Sequence, residues 1–464
     1  MATIPTAIKP AERLEDIPAL VALGPLDAGD PRYVDSSKAR GDNQLKKLRL
    51  TLESCDAKQN RFAKIAFTGH RGSGKSTELL HLENEVASRF TTVHLYLDDN
   101  LIRDCDYIDL LLWLVDELAR QFAKNGMPLD KDALQDVANW FAERSLEEVQ
   151  VVKKSVEVEA QAEGSVNYGL FGTGLKLLAR IKSTLVGNVE QRKVIRHRLQ
   201  SYSRDLVEKV NLLLDHAHRV LEKHGKNPEI LIVQDNLDRL PVEVSRRLFF
   251  DNGDLLKSLH AHCIYTVPIA LVLAPWNIAM VFPKSFTMPM VRTANRDGSE
   301  APDGIRGLME IIRHRIVIES CFTSIDVATY LVKMCGGSVR DLMRLLELAQ
   351  VSARADDKAQ IDHASARDAV KVLRIEFQRL LHPAQTYYPL LAQIHATKGD
   401  YSGAEGSVNP SDVNEVREFF AQLLFNGTVL EYNGEESWFD VHPSVRDIRD
   451  FQDASNRLKH VLAG

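Results

Sequence analysis

Apolar residues follow two different periodicities along the first part of the chain. Short apolar runs of strand length occupy 62–68, 93–97, 230–233 and 263–268. The stretches between them have apolar residues three and four positions apart, and 107–122 is strongly amphipathic. Strands that alternate with helices usually form a parallel sheet with helices on its faces. The pattern therefore predicts an α/β fold.

This alternation stops between about residues 130 and 226. Residues 152–160 alternate like an exposed hairpin strand, and 169–174 are glycine-rich and predict a hinge. A basic amphipathic stretch follows at 175–185, and one long helix is predicted over 190–224. The stretch at 175–185 would suit a membrane surface, although a packed or partner-facing helix is the ordinary outcome. We expect an inserted arm here.

The second half of the chain is predicted to be mostly helical. A glycine pair, Gly336 and Gly337, separates two helices, and a linking helix is expected over 362–381. The last eighty or so residues contain two helical stretches, followed by alternation on both sides of Asn433-Gly434, which predicts a β-hairpin. Helix, helix and hairpin are typical of a winged helix-turn-helix.

Composition narrows the class of protein. The chain has 464 residues, 44% of them hydrophobic and 26% charged, and its net charge is −6. These values are typical of a globular protein with several domains, and they give no overall attraction to nucleic acid. The five cysteines lack metal-binding spacing, and no apolar run has membrane-spanning length. We expect a cytoplasmic protein with no membrane segment.

A phosphate-binding motif follows the first predicted strand. The residues from Gly69 to Ser76, GHRGSGKS, match G-x-x-x-x-G-K-[ST], and a helical pattern begins at Ser76. Glycines let backbone N–H groups turn inward around phosphate oxygens. Lys75 would reach the β- and γ-phosphates, and the Ser76 hydroxyl would bind Mg²⁺. The motif predicts a nucleotide site at a helix N-terminus.

A second part of the site is predicted at later strands. The apolar run from Ile230 ends at Asp235, and the carboxyl end of a parallel strand is where ligands bind. Asp235 would hold Mg²⁺ opposite Ser76. Thr266, near the end of the next strand, would contact the γ-phosphate or the attacking water.

Taken together, GHRGSGKST, the strand ending in QDNLDR, Thr266, GGSVRDLMRLL and the C-terminal pattern resemble the AAA+ ATPases. The origin-recognition-type and STAND-type branches are the most similar. The resemblance implies that Asp235 is the Walker B acid, Thr266 the sensor on the fourth strand, and Arg340 the lid arginine that reads the γ-phosphate. In such proteins the segment before the first helix often covers the adenine. Tyr33 and Val34 are candidates for this contact, with simple core packing as the alternative. The implied nucleotide-binding residues are Gly69, Gly72, Ser73, Gly74, Lys75, Ser76 and Thr77.

The chain departs from the family pattern directly after Asp235. Many AAA+ proteins have a catalytic Glu there, and this chain has Asn236, which can orient a water molecule but cannot take its proton. Asp238 is the alternative base; otherwise hydrolysis would be slow and the site would act as a switch. Several arginines could serve as an arginine finger, and the sequence does not choose among them: Arg292, Arg296, Arg306, Arg313 and Arg315.

The expected domains are an N-terminal segment (1–40), an ATPase core (41–320, with the arm at 130–226), a helical lid (321–381) and a winged helix (382–464). The leading interpretation is an ATP- and Mg²⁺-dependent switch that couples its nucleotide state to oligomerisation or to a protein partner, which would dock on the arm or the winged helix. Bacterial signalling or defence against phage would be its setting.

The alternative interpretation is an initiator-like ATPase that binds DNA. Between 409 and 451 nine acidic residues stand against three arginines, which does not favour phosphate contacts. Glu435 and Glu436 are expected at the tip of the hairpin. The basic helix at 190–204 would be the other place for nucleic acid to bind, with Arg192, Lys193, Arg196 and Arg198 as its contacts.

Overall fold

The computed structural model describes residues 8–41, 43–56, 59, 61–145, 172–273, 276–381, 387–400, 413–433 and 437–463. The predicted hairpin strand at 152–160 and the predicted hairpin tip at 434–436 lie outside these residues. The chain divides into two units, one formed by 1–47, 68–81 and 287–464, and the other by 48–67 and 82–286. We call them the first and the second unit. The four-part division expected from the sequence stays a prediction.

Helices make up most of the described residues. In chain order they are α1 Ile17–Val21, α2 Ser37–Arg40, α3 Gln44–Glu53, α4 Lys75–Val86, α5 Tyr107–Lys124, α6 Lys131–Ser145, α7 Gly172–Gly187, α8 Val189–Gln200, α9 Ser203–Lys223, α10 Val242–Arg246, α11 Gly253–Lys257, α12 Pro302–Arg313, α13 Ile318–Cys321, α14 Ile325–Met334, α15 Val339–Ala355, α16 His363–Leu381, α17 Tyr387–Thr397, α18 Val413–Phe425, α19 Pro443–Arg446 and α20 Arg449–Ala463. None of the helices in the described part of the chain is long and apolar enough to cross a membrane.

A five-stranded sheet confirms the predicted α/β fold. Its strands are β1 Lys64–Gly69, β2 Phe90–Tyr96, β3 Glu229–Asp235, β4 His262–Val267 and β5 Lys284–Met288, in the order β2-β3-β4-β1-β5. The pairs β2–β3 and β3–β4 are parallel. Every residue of β3 and β4 is buried, and the middle of each strand is apolar or β-branched, as expected of strands covered on both faces.

The prediction of one long helix over 190–224 is wrong, because two helices occupy this stretch. Helix α8 ends at Gln200 and α9 begins at Ser203. Buried apolar residues keep helical spacing across the break, at Leu199 and then at Leu206, so the pattern does not reveal it. Ser201 and Tyr202 are only moderate helix formers, which makes this the place where an interruption costs little.

Of the glycine-rich hinge predicted over 169–174, residues 169–171 lie outside the described part of the chain, and 172–174 are corrected because α7 begins at Gly172. Gly174 lies so close to α6 that a Cβ atom would meet the backbone of Gln135 at 3.2 Å. Here glycine allows two helices to approach each other and does not provide a flexible joint.

In the first unit the predicted glycine pair lies between α14 and α15. A Cβ atom on Gly337 would lie 1.8 Å from the carbonyl oxygen of Val291, and both glycines have positive φ angles. The Ser338 side chain then accepts a hydrogen bond from the amide of Asp341 and caps α15. This turn places Arg340 in the first helical turn, as the sequence predicts.

The C-terminal segment has the predicted order of helix, helix and hairpin. Helices α17 and α18 precede β6 Val429–Tyr432 and β7 Trp438–Val441, which are antiparallel. The rings of Tyr432 and Trp438 stack across the hairpin at 4.6 Å. The assignment of this segment as a winged helix stays a prediction.

Candidate functional site

The loop between β1 and α4 has a shape that requires its glycines. Gly69, Gly72 and Gly74 have φ angles of +151°, +86° and +98°. A Cβ atom on Gly69 would lie 2.5 Å from the carbonyl oxygen of Met288, and one on Gly72 would lie 2.7 Å from the Cβ of Arg340. Side chains at either position would force the loop to move. The motif glycines therefore set the course of this backbone.

Lys75 is held inside this loop. Its side chain is buried, and Nζ donates to the carbonyl oxygens of Gly69 and His70, each at 2.8 Å. Lys75 is also the first residue of α4, so the amide groups of a helix N-terminus lie beside an ammonium group and a glycine loop. This combination fits the phosphates of a nucleotide. Ser76 lies in the same first turn, half-buried.

Thr77 and Tyr33 connect the N-terminal segment to α4. The Thr77 hydroxyl accepts a hydrogen bond from the amide of Leu26 at 3.1 Å. The ring of Tyr33 stacks on that of His81 at 3.6 Å, and its hydroxyl donates to Glu78. Val34 is half-buried beside it in the chain. The segment thus lies against the helix of the phosphate loop, and the contact of Tyr33 and Val34 with adenine stays a prediction.

Arg40 supports the phosphate loop and has no signal in the sequence motif. Its buried guanidinium donates to the carbonyl oxygens of Ser73 and Pro289, both at 2.6 Å, and to the Ser36 hydroxyl. Burial lowers the pKa of Arg40 to about 10, so the side chain stays charged at neutral pH. The Ser73 side chain itself is buried. The guanidinium ties this loop residue to residue 289.

His70 and Arg71 occupy unspecified positions of the motif, and both contact the C-terminal segment. The Nε2 atom of His70 accepts a hydrogen bond from the backbone amide of Glu431 in β6 at 2.7 Å. Burial, together with the charge of Lys75, lowers the pKa of His70 to about 3, so the ring is neutral. The Arg71 guanidinium lies over the ring of Phe425, 5.5 Å from its centre.

Arg340 lies beside the same loop. Its backbone amide donates to the carbonyl oxygen of Gly72 at 3.3 Å, and its side chain is exposed. With Arg71, Phe377 and Phe425, among other residues, it lines a cavity of about 160 Å³. The structure therefore brings Gly72 and Arg340 together, whereas the reading of a γ-phosphate by Arg340 stays a prediction.

In the second unit Asp235 lies at the end of β3, where the sequence predicts it. The side chain is almost fully buried, and Oδ1 accepts a hydrogen bond from the amide of Asn236 at 2.7 Å. A carboxylate oxygen is a ligand that Mg²⁺ prefers. The assignment of Mg²⁺ to Ser76 and Asp235 rests on the sequence.

The side chains of Asn236 and Thr266 both form hydrogen bonds with backbone groups of neighbouring strand ends. The amide of Asn236 is bonded to both backbone groups of Leu97, accepting from N at 2.9 Å and donating to O at 3.1 Å. The Thr266 hydroxyl accepts from the amide of Leu237 and donates to the carbonyl of Gln234. These bonds join the ends of β2, β3 and β4. Asp238 is buried in the short turn that follows.

His94 in β2 lies between two carboxylates and was missed by the sequence analysis. Its Nδ1 is 2.5 Å from Oε1 of Glu83, and its Nε2 is 3.7 Å from Oδ2 of Asp235. Burial acts to lower the pKa of His94, but the neighbouring carboxylates of Asp235 and Glu83 outweigh it and raise the pKa to about 9. A histidine inside the apolar run at 93–97 is the signal that could have identified it.

The basic helix α8 is anchored by two of its four predicted nucleic-acid contacts. Arg192 and Arg196 are buried, and they bond to the carboxylates of Asp104 and Asp109 at 2.6 Å and 2.5 Å respectively. Burial raises the pKa of Asp109 to about 6 even though Arg196 acts against this shift. These two arginines hold α8 inside the second unit. Lys193 and Arg198 are exposed.

No protein-family model matches this chain, and no curated protein matches its sequence. Solved structures with a similar course of the chain include the ORC2 protein of Aeropyrum pernix (ADPNP-ADP complexes), at a TM-score of 0.41 and 11% identity over 91% of this chain and 94% of that one. The A. pernix ORC1 protein in complex with DNA has a TM-score of 0.40 and 12% identity, over 98% and 99%. The Thermotoga maritima RuvB Holliday junction branch migration motor has 0.34 and 13%, over 92% and 98%. Similarity at these scores carries no argument about function. The functional argument therefore rests on the chain's own residues.

Proposed function

We propose that the chain is an ATP-binding switch, in which the phosphate loop sets the position of the C-terminal segment. One observation carries this proposal: of three consecutive loop residues, two contact the C-terminal segment and the third contacts α15. His70 accepts a hydrogen bond from Glu431 in β6, Arg71 lies over Phe425 at the end of α18, and the carbonyl of Gly72 accepts from Arg340 in α15. All these residues belong to the first unit.

Lys75 supplies the link between nucleotide and loop. To meet a phosphate, its ammonium group has to leave the carbonyl oxygens of Gly69 and His70. The backbone of His70 would then lose a partner while its ring is still bonded to β6. A ligand shifts a conformational equilibrium through such differences in contact between two states. We infer that the bound nucleotide changes the hold of the loop on the C-terminal segment.

Mg²⁺, with Ser76 and Asp235 as its ligands, would neutralise phosphate charge. The side chains of Asn236 and Thr266, which would orient the attacking water, already form hydrogen bonds with backbone groups. The site therefore offers little help to hydrolysis. Asp238 remains the candidate base. We therefore expect slow hydrolysis by the isolated chain, which a partner or a second copy would accelerate by supplying an arginine.

An initiator-like DNA-binding ATPase is the second candidate. Exposed Lys193 and Arg198 on α8 favour it, because phosphate contacts need accessible cations. Buried Arg192 and Arg196 weaken it, since they are committed to Asp104 and Asp109. The acidic balance of the C-terminal segment supports a protein partner there. Signalling and phage defence remain settings for the proposed switch.

Hydrogen exchange, read together with calorimetry, tests the switch. Calorimetry should detect binding of ATP with Mg²⁺, and the nucleotide should slow amide exchange in 69–77 and change the exchange rate of the Glu431 amide. The Lys75→Ala variant should show neither effect. The proposal is wrong if ATP binds to the wild-type chain and exchange over 425–432 and 437–441 stays the same.

A further inference from the structure

Three polar side chains of the second unit form a chain of contacts that ends at the predicted Mg²⁺ ligand. Glu83 lies in the last part of α4, His94 in β2 and Asp235 at the end of β3. The ring of His94 is only 12% exposed, with Nδ1 2.5 Å from Glu83 and Nε2 3.7 Å from Asp235. The imidazole thus joins the helix that follows the phosphate loop to the predicted Mg²⁺ ligand.

The register of the sheet explains why the ring lies there. In the parallel pair β2–β3, His94 pairs with Val233 and Tyr96 pairs with Asp235. Side chains two positions apart share one face of a strand, so His94 and Asp235 are diagonal neighbours. The ring of Tyr96 lies 4.4 Å from that of His94 and packs on the side toward the strand end.

The two sides of the ring make different contacts. An ionised carboxylate only accepts hydrogen bonds, so Nδ1 of His94 donates to Glu83, and this bond fixes the ring from that side. On the other side Nε2 lies 3.7 Å from Oδ2 of Asp235, too far for a hydrogen bond but close enough for the ring to pack against the carboxylate. The amide of Asn236 donates to Oδ1, so the Asp235 side chain is bounded by a backbone donor at one oxygen and by the ring at the other.

We propose that His94 is the positioning residue of the Mg²⁺-binding carboxylate, anchored by Glu83. This inference rests on the proposed function, because it concerns the same nucleotide site. Fixing the ring from the Glu83 side limits the rotation of the Asp235 side chain, and a carboxylate held in one orientation binds a metal ion more tightly than a freely rotating one. Residues that orient metal ligands usually change metal affinity by about 10- to 100-fold when they are replaced.

The test compares nucleotide binding with and without Mg²⁺ by calorimetry. In EDTA, His94→Leu should bind ATP within about twofold of the wild type. With ATP present, its half-saturating Mg²⁺ concentration should rise by about tenfold or more. Glu83→Gln should shift the Mg²⁺ dependence in the same direction by a smaller factor. His197→Leu, a change at an exposed histidine of α8, is the matched control and should leave both values unchanged.

A double-mutant comparison separates positioning from a general effect on the fold. If His94 acts through Asp235, adding His94→Leu to Asp235→Asn should not weaken Mg²⁺ dependence further. His94→Gln, which keeps one donor, replaces His94→Leu if the leucine variant does not fold as judged by circular dichroism. Wild-type Mg²⁺ dependence in a folded His94 variant would overturn this inference alone. Failure of the wild-type chain to bind ATP would overturn the proposed function, and this inference with it.

Discussion

The Nε2 atom of His70 in the phosphate loop accepts a hydrogen bond from the backbone amide of Glu431 in β6 at 2.7 Å. A ring that accepts at Nε2 cannot carry a proton on that nitrogen, so the bond requires neutral imidazole. Burial and the neighbouring Lys75 keep it neutral by lowering its pKa to about 3. One residue therefore joins the nucleotide loop to the C-terminal hairpin by a bond that water does not weaken.

Replacing His70 by Phe should break this connection while keeping an aromatic ring in place. The amide of Glu431 would lose its acceptor, and an unsatisfied buried amide costs about 1–3 kcal/mol in the free energy of unfolding. Urea unfolding measures the loss. Arg71→Ala, which removes the contact with Phe425, should cost only about 0.5–1 kcal/mol. Equal losses in the two variants would mean that the His70 bond has no special weight.

Lys75→Ala should abolish ATP binding, because no other described side chain brings an ammonium group into the loop where the phosphates are predicted to lie. Calorimetry with ATP and Mg²⁺ measures this directly. Lys124→Ala, at the exposed end of α5, is the control and should bind like the wild type. A Lys75→Ala protein that binds ATP with wild-type affinity would contradict the nucleotide site itself.

Much of this arrangement is predictable from the sequence because its signals are local. The apolar runs predict β1 to β4, the spacing of glycines and Lys75 predicts the phosphate loop, and the Gly336-Gly337 pair predicts the start of the helix that carries Arg340. Each of these features depends on residues that are close together in the chain, so backbone chemistry alone specifies them.

The partners of the loop are not predictable in this way, because they are distant in sequence. Arg40 reaches Ser73 and Pro289, and His70 reaches Glu431 across 361 positions. The basic helix shows the same limit, since an Arg such as Arg196 looks identical in the sequence whether it faces solvent or Asp109. Single-sequence patterns report which residues are charged, but not which charges are buried together.

Arg40 should prove important for stability although no motif includes it. Its replacement by Met keeps much of the volume and leaves the carbonyl oxygens of Ser73 and Pro289 without the charged donor. We expect a loss of about 2–4 kcal/mol in the free energy of unfolding, since bonds to charged groups are worth more than neutral ones. Arg13→Met is the control, because that arginine is largely exposed and should matter little. A stability loss at Arg40 no larger than at Arg13 would refute its supporting role.

His442 should make the chain less stable in mild acid. Its Nδ1 accepts from the amide of Ser444 while Nε2 donates to the carbonyl of Cys335, so the folded state holds the neutral ring. Burial, with Arg446 in addition, lowers its pKa to about 3. In the unfolded chain the pKa is about 6.5, so below that pH the unfolded state binds a proton that the folded state does not.

The sign follows from this difference in proton binding. The contribution of His442 to stability is complete above pH 6.5 and is lost as the pH falls toward 3, by about 2 kcal/mol between pH 7 and pH 5. Urea unfolding at both pH values measures it, and His442→Gln should reduce the drop by that amount. His460→Gln, at an exposed histidine of α20, should leave the drop unchanged. An identical pH dependence in the His442→Gln variant would show that this histidine is not the group responsible.

The four basic residues of α8 should separate into two pairs with different effects. Arg196→Met should lower the free energy of unfolding by about 3–5 kcal/mol, because it leaves Asp109 buried without its partner. The exposed pair, reversed together as Lys193→Glu and Arg198→Glu, should leave stability nearly unchanged.

If duplex DNA binds to α8, this double reversal in the full-length chain should weaken binding and reduce the salt dependence of log K by about two units, since each lost phosphate contact removes about 0.9. Gel-shift titrations at two salt concentrations measure both quantities. DNA binding that keeps its affinity and salt dependence in the double variant would place the contact elsewhere in the chain. The C-terminal segment would then be the next candidate for a DNA-binding surface, despite its acidic balance.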